Sequence, residues 1–193
     1  MPFVQPKAES EARGRVAELF EADRNKRGYV PNYLSLFALR PEVYEAWAGL
    51  IGAIAKNMDL RRYELATFAA AQALSSSYCS LAHGLVLRTK FMTDEEVVQT
   101  ADGDSAEELD RAVMTLARQV AVDAARVTDD DVEPLRRAGL SDEEIFDVVL
   151  AAAARAFFSK TLDGTGTKPD REYRDLLSPL LAERLAVGRP IED

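Results

Sequence analysis

Residues 64–84 read E-L-A-T-F-A-A-A-Q-A-L-S-S-S-Y-C-S-L-A-H-G, and they hold the only cysteine, Cys79, and the only histidine, His83, of a 193-residue chain. The two lie four positions apart. On a helix that spacing puts both on one face, one turn apart. A thiol beside an imidazole is the minimal equipment for thiolate chemistry near neutral pH. Glu64 lies fifteen residues before Cys79, which on one continuous helix is roughly 22 Å, too far to cooperate. The run Ser75-Ser76-Ser77 changes that, because serines favour caps and compete with helical hydrogen bonds. A break there folds the stretch into a helical hairpin. With the pivot near Leu74 or Ser75, Glu64 comes opposite His83, and Cys79 falls in the first turn of the second helix.

A first turn carries unpaired N–H groups and the positive end of the helix dipole, so a thiolate at Cys79 is stabilised there. His83 can take the thiol proton directly or through water. Glu64 can orient His83 and hold it in the right tautomer, which is the logic of nucleophile, base and orienting acid. Each residue has a plainer reading by itself. A lone cysteine in an alanine-rich helix is usually a small buried hydrophobe. A lone histidine is usually structural, and a glutamate near a helix start is a dipole partner. It is the joint spacing that makes a candidate site.

Outward from the hairpin, nearly every stretch reads as helix, rich in Ala, Leu, Glu and Arg and lacking good strand runs. Capping boxes mark helix starts at Thr93 with Glu96, Ser105 with Glu108 and Ser141 with Glu144. Gly139 separates two helices, and Gly164 and Gly166 open a turn-rich link that ends at Pro169. The expected helices are Ala8–Arg24, Asn32–Leu39, Pro41–Asn57, Leu60–Leu74, Ser77–Lys90, Asp94–Thr100, Ala106–Ala125, Asp130–Ala138, Asp142–Ser159 and Asp170–Glu183. The chain is therefore expected to be all-α, one domain over 1–193, with the motif at 60–90 on a helical hairpin.

The formal net charge of -9 leaves no basic face for nucleic acid or for an anionic membrane surface. The longest apolar run, Val148 to Ala154, is too short to span a bilayer and is followed by Arg155. The start M-P-F-V-Q-P-K-A-E-S lacks the pattern of a signal peptide, and a single cysteine builds no internal disulfide. A cytoplasmic protein is the expectation. Glu64 and His83 are too few ligands for a closed zinc site, and no phosphate-binding glycine loop is present, so neither metal nor cofactor is expected.

Other features have simple accounts. Tyr44, Trp47 and Leu50 recur at helical spacing and read as a core stripe. Asp129-Asp130-Asp131 suits a helix start. The alanines from Ala151 to Ala156 would serve close helix packing or a subunit interface. Arg61, Arg62 and Arg88 flank the motif and read as surface residues, although they could supply charge to an anionic substrate.

At Glu64, Cys79 and His83 the chain resembles the alkylhydroperoxidase D-like, or carboxymuconolactone decarboxylase, family. The family pattern is a Glu, eleven residues, then C-x-x-C-x-x-x-H; here Glu64 is followed by Leu65 to Ser75 and then S-S-Y-C-S-L-A-H. Tyr78 and Ala82 also look like the family. The run G-Y-V-P-N-Y-L-S-L-F-A-L-R-P-E-V-Y, Gly28 to Tyr44, looks like the opening segment of its peroxidase-related branch, and G-L-S-D-E-E-I from Gly139 looks like its later helices. The resemblance implies an all-helical AhpD-like bundle that assembles as a homo-oligomer. It also implies a thiol-dependent hydroperoxide reductase of peroxiredoxin type. Cys79 would be the attacking thiol, with Glu64 and His83 as proton relay and a small-molecule peroxide as substrate. The departure is Ser76, where paired-cysteine members carry the resolving cysteine. Ser76 cannot resolve a sulfenic acid, though it could donate a hydrogen bond to the thiolate, so a sulfenate at Cys79 would need an external thiol as reductant, or a Cys79 from a neighbouring subunit. Two alternatives stand beside this reading: a non-catalytic oligomeric or ligand-binding protein, and decarboxylation or isomerisation of a small lactone acid.

Overall fold

A computed structural model describes residues 2–105 and 107–193 of the chain. The helices are α1 (Arg15–Arg27), α2 (Asn32–Phe37), α3 (Pro41–Asn57), α4 (Leu60–Ala73), α5 (Ser77–Lys90), α6 (Asp94–Asp102), α7 (Glu108–Asp123), α8 (Asp129–Arg137), α9 (Asp142–Thr165), α10 (Tyr173–Leu176) and α11 (Pro179–Leu185). No strand occurs among the described residues. The fold is all-α, as the periodicity requires.

Helix α4 is the centre, with α5, α7 and α9 packed around it. Every residue from Tyr63 to Ala71 is buried. A helix buried on all sides needs small residues where neighbours approach closely, and the run A-T-F-A-A-A supplies them. The Asp59 side chain caps α4 by accepting from the Arg62 N–H, and the expected capping boxes at Thr93 and Ser141 are formed. Thr128 and Asp131 make a further box at α8, placing the aspartate run in a first turn.

The hairpin pivots at Ser75, whose φ is +54°, the left-handed region that costs an L-residue about 1 kcal/mol or more. The last stretch of the chain clamps this pivot. Gly188 N–H donates to Ser77 Oγ at 2.8 Å. A Cβ on Gly188 would lie 2.0 Å from the Ser75 carbonyl oxygen, so only glycine fits there.

Several expectations need correction. The first helix begins at Arg15 rather than Ala8: a separate 3-10 turn at Glu9–Glu11 ends at an extended Ala12, and Gly14, at φ +53°, is the residue that precedes α1. Helix α9 runs through Gly164 and stops at a left-handed Gly166. The expected last helix is broken into α10 and α11 by Ser178-Pro179, with Ser178 as cap. Ser105 does not cap α7: Glu107 stands at the cap, and the Ser105 hydroxyl bonds Asp110 instead. The expected start of that helix at Ala106 lies outside the described residues. Leu50 is 50% exposed, so the stripe Tyr44-Trp47-Leu50 is not a core stripe throughout. The rings of Tyr44 and Trp47 turn inward while Leu50 faces out. Of the alanine run, Ala151, Ala152 and Ala154 are buried in helix packing, and Ala153 is exposed.

Candidate active site

The hairpin brings Glu64 of α4 and His83 of α5 together: Glu64 Oε2 lies 2.6 Å from His83 Nδ1, both residues being buried. Thr67, one turn after Glu64, settles the tautomer. Its hydroxyl proton is directed to backbone carbonyls, Tyr63 O at 2.8 Å and Glu64 O at 3.1 Å. Thr67 Oγ1 can then only accept from His83 Nδ1, 3.1 Å away. Two acceptors on Nδ1 assign the proton to it and leave Nε2 as the basic nitrogen. Burial lowers the His83 pKa most, the Arg155 charge lowers it further, and Glu64 raises it in part. The imidazole is thus held neutral and competent as a base.

Cys79 is the third residue of α5, in its first turn, and is 1% exposed. Its Sγ accepts a hydrogen bond from Arg155 Nη1 of α9 at 3.5 Å. Arg155 is itself 5% exposed. Its guanidinium lies 5.7 Å from the Trp47 ring and 5.5 Å from that of Phe158, two rings stacked on each other at 4.1 Å. It also faces Tyr63, whose hydroxyl pKa burial pushes up and the guanidinium draws back. Among the described residues Arg155 forms no ion pair with a carboxylate, and its Nε has no hydrogen-bond partner. A buried cation without a carboxylate carries a desolvation penalty of about several kcal/mol. Negative charge at Cys79, or on a bound group, offsets it.

Ser76 does not reach Cys79. Its hydroxyl is fully buried, makes no hydrogen bond of ordinary geometry and does not cap α5. It lies close enough to Asp163 to favour that carboxylate's charged form, against the rise that burial causes. The hydrogen bond that Ser76 could have donated to the sulfur is made by Arg155 instead. The flanking arginines are engaged elsewhere: Arg61 with Asp110 at 2.6 Å, Arg62 with Glu144 at 2.9 Å and Arg88 with Asp94 at 3.0 Å. The one sign of Arg155 in the sequence is a lone charge inside V-V-L-A-A-A-A-R-A-F-F, where a charged residue in an apolar helix signals a purpose.

A second buried carboxylate flanks the site. Asp170, 3% exposed, accepts from Tyr78 Oη at 2.5 Å, from the Asn32 N–H at 2.7 Å and from Tyr29 Oη at 3.4 Å. Burial pushes its pKa up, the three donors pull it part of the way back, and it stands at about 6. Asp170 ties the segment after α9 to α2 and to the residue preceding Cys79. Nothing in the spacing of the sequence marks it.

Among the described residues no group of three or more His, Cys, Asp and Glu side chains is placed to hold a metal ion. No described helix is long and apolar enough to cross a membrane.

Residues 41–123 match the model of the carboxymuconolactone decarboxylase family, which spans the hairpin and its neighbouring helices. No curated protein matches the chain. Solved structures share the fold. A peroxidase-related protein from Ralstonia eutropha JMP134, described as an alkylhydroperoxidase AhpD core, is 22% identical at a TM-score of 0.79, covering 89% of this chain and 94% of its own. A peroxidase-related protein from Silicibacter sp. TM1040 is 19% identical at 0.71, covering 89% and 91%. The debrominase Bmp8, as a cysteine-to-alanine variant with 2,3,4-tribromopyrrole, is 16% identical at 0.74, covering 92% and 96%. At these identities the likeness establishes an AhpD-like helical fold.

Proposed function

From a chain whose residues 41–123 form a carboxymuconolactone decarboxylase family segment within an AhpD-like fold, we propose a thiol-dependent hydroperoxide reductase with Cys79 as the attacking sulfur. The observation that carries the reading is the joint placement of Arg155 on Cys79 Sγ and of Glu64 on His83 Nδ1. Arg155 supplies the positive charge that a thiolate at Cys79 needs in a buried site. His83, neutral and with Nε2 free of its proton, takes the thiol proton, and Glu64 stabilises the imidazolium that forms.

The thiolate sulfur then attacks the terminal oxygen of the hydroperoxide. A sulfur–oxygen bond forms, the oxygen–oxygen bond breaks, and the departing alkoxide, or hydroxide from hydrogen peroxide, takes the proton held by His83. Cys79 is left as a sulfenic acid. One external thiol condenses with it, releasing water and forming a mixed disulfide; a second thiol displaces Cys79 and leaves as the external disulfide. Because Cys79 is 1% exposed, both reactants require a local opening of the structure around it. The test is peroxide consumption with a dithiol, comparing wild type with Cys79→Ser. A loss of at least tenfold supports the proposal, and equal rates would sink it.

One observation favours a second reading. A buried guanidinium without a carboxylate partner is the cation that a small lactone acid would require, with Cys79 as a bystander. Decarboxylation surviving Cys79→Ser and lost in Arg155→Met would establish it in place of the peroxidase. The non-catalytic reading draws on the burial of Cys79. Glu64, held on His83 rather than turned to solvent, speaks against it.

A further inference from the structure

Helix α9 turns one stripe toward the start of α5. Arg155, Ser159 and Asp163 follow one another at intervals of four, so they share one face of the helix over roughly 12 Å. Contacts fix both ends of the stripe. Arg155 Nη1 donates to Cys79 Sγ at 3.5 Å, and Asp163 lies close to the Ser76 hydroxyl. Ser76 and Cys79 are the cap and the third residue of α5. Ser159 is therefore bracketed between them, and it is fully buried.

The stripe gathers hydrogen-bonding groups that are not in use. Arg155 Nε, Ser159 Oγ and Ser76 Oγ are all buried, and none has a partner among the described residues. Two hydroxyls on the same helix show the contrast. Thr161 returns its proton to Phe157 O and Thr165 to Thr161 O, each at 2.8 Å. The Ser159 hydroxyl makes no such bond and stays available to a guest. Buried polar groups are nearly always paired, and an unpaired one is costly. Three of them beside the candidate nucleophile mark a place for a polar guest. Arg155, Ser159, Ser76 and Cys79 are each 5% exposed or less, so the guest has few atoms. Hydrogen peroxide has that size. Each of its oxygens both donates and accepts, which suits two hydroxyls and an N–H. A branched alkyl hydroperoxide adds apolar bulk that this polar stripe does not receive.

We propose that the stripe Arg155–Ser159–Asp163, with Ser76 opposite, is the entry path and positioning site for hydrogen peroxide, and that Ser159 makes Cys79 selective for it over branched alkyl hydroperoxides. The proposal rests on the reading of Cys79 as a peroxide-attacking thiol. The outer end of the path lies at Asp163 and Arg189, whose side chains are 29% and 33% exposed. Local opening is easiest where it breaks the fewest contacts. Hydroxyls without partners lose no bond when a small solute passes between them. At the inner end Ser159 Oγ and Arg155 Nε donate to the oxygen that leaves as hydroxide, as charge develops on it.

The test is the rate at which the Cys79 thiol is lost in a single turnover without reductant, followed by acid quenching and mass spectrometry. Hydrogen peroxide and tert-butyl hydroperoxide are compared, each relative to its rate with free cysteine. On that scale the wild type should favour hydrogen peroxide by about tenfold or more. Ser159→Ala deletes only the hydroxyl. It should slow hydrogen peroxide by about fivefold and leave tert-butyl hydroperoxide unchanged or faster, so the preference collapses. A purely structural defect would slow both together. Ser159→Val fills the path and should slow hydrogen peroxide by about tenfold or more. Urea midpoints verify that Ser159→Ala is folded and no less stable, since it removes an unpaired buried hydroxyl. A wild type without preference overturns the proposal. Ser159 variants that match the wild type also overturn it, assign the hydroxyls to an internal water, and leave the chemistry at Cys79 standing. A wild-type Cys79 that reacts with neither peroxide removes the peroxidase reading and this proposal with it.

Discussion

Arg155 donates to Cys79 Sγ from 76 positions further along the chain, and no carboxylate among the described residues shares its charge. In a buried setting that pairing couples the charge of the guanidinium to the ionisation of the sulfur. Either alone is costly, and together they offset one another.

Arg155→Met therefore has opposite effects on reactivity and on folding. Alkylation of Cys79 by a small thiol reagent at pH 7 slows by about tenfold or more, because the counter-charge of the thiolate is gone. Stability holds or rises, since an apolar side chain of similar length replaces a buried cation that has no carboxylate partner among the described residues. Alkylation kinetics and urea midpoints on the same samples check both. Unchanged alkylation would remove Arg155 from the chemistry.

Glu64→Gln removes the one group that raises the His83 pKa, leaving the lowering by burial and by Arg155 unopposed. The imidazole titration followed by NMR should move to lower pH in the variant. In the wild type, the lowered His83 pKa means that the unfolded chain binds more protons below about pH 6.5. That contribution to stability is thus fully present above that value and is lost as pH falls through the window below it. Glu64→Gln widens the window downward.

Asp170 behaves in the opposite sense. Its folded pKa of about 6 lies above the ordinary 3.8, so the folded state binds the extra proton. Its contribution is fully present below about pH 3.8 and is lost as pH rises through about 6, a change of about 3 kcal/mol across the window. Asp170→Asn abolishes this dependence. Relative to the variant, the wild type should lose roughly that much between pH 4 and pH 7 in urea unfolding. Parallel pH profiles for the two proteins would refute the assignment.

Gly188→Ala and Ser75→Gly bracket the pivot. The alanine Cβ would lie 2.0 Å from the Ser75 carbonyl oxygen, backbone that cannot step aside, so the variant should lose about 2 kcal/mol or more. Ser75→Gly relieves a left-handed φ of +54° and should be neutral or stabilising by up to about 1 kcal/mol. Thermal unfolding of the two, side by side, checks the pair of signs.

Thr67→Val removes one of the two acceptors on His83 Nδ1 and leaves the helix intact. Nitrogen NMR of the wild type should show the Nδ1–H tautomer, and the variant should show an admixture of the other. An Nε2–H wild type would contradict the hydrogen-bond logic drawn from Thr67.

The sequence by itself determined the helical class, the break at Ser75 to Ser77, the approach of Glu64 to His83 and the caps at Thr93 and Ser141. Each of these rests on residues within a turn or two of one another, or on a hairpin whose arms have known rise, so local geometry suffices. It misplaced Ser105, joined α10 to α11 across Pro179 and took Leu50 for core, because a cap or an apolar stripe states a local preference and not the neighbour that meets it. Only the tertiary structure decided that Arg155, rather than Ser76 or the flanking arginines, reaches Cys79, that Asp170 gathers three donors beside Tyr78, and that Ser159 of α9 is buried without a partner between Arg155 and Asp163. Those outcomes depend on which faces of distant helices pack together, and that choice is made by the burial of the whole core at once, which no short window of sequence contains.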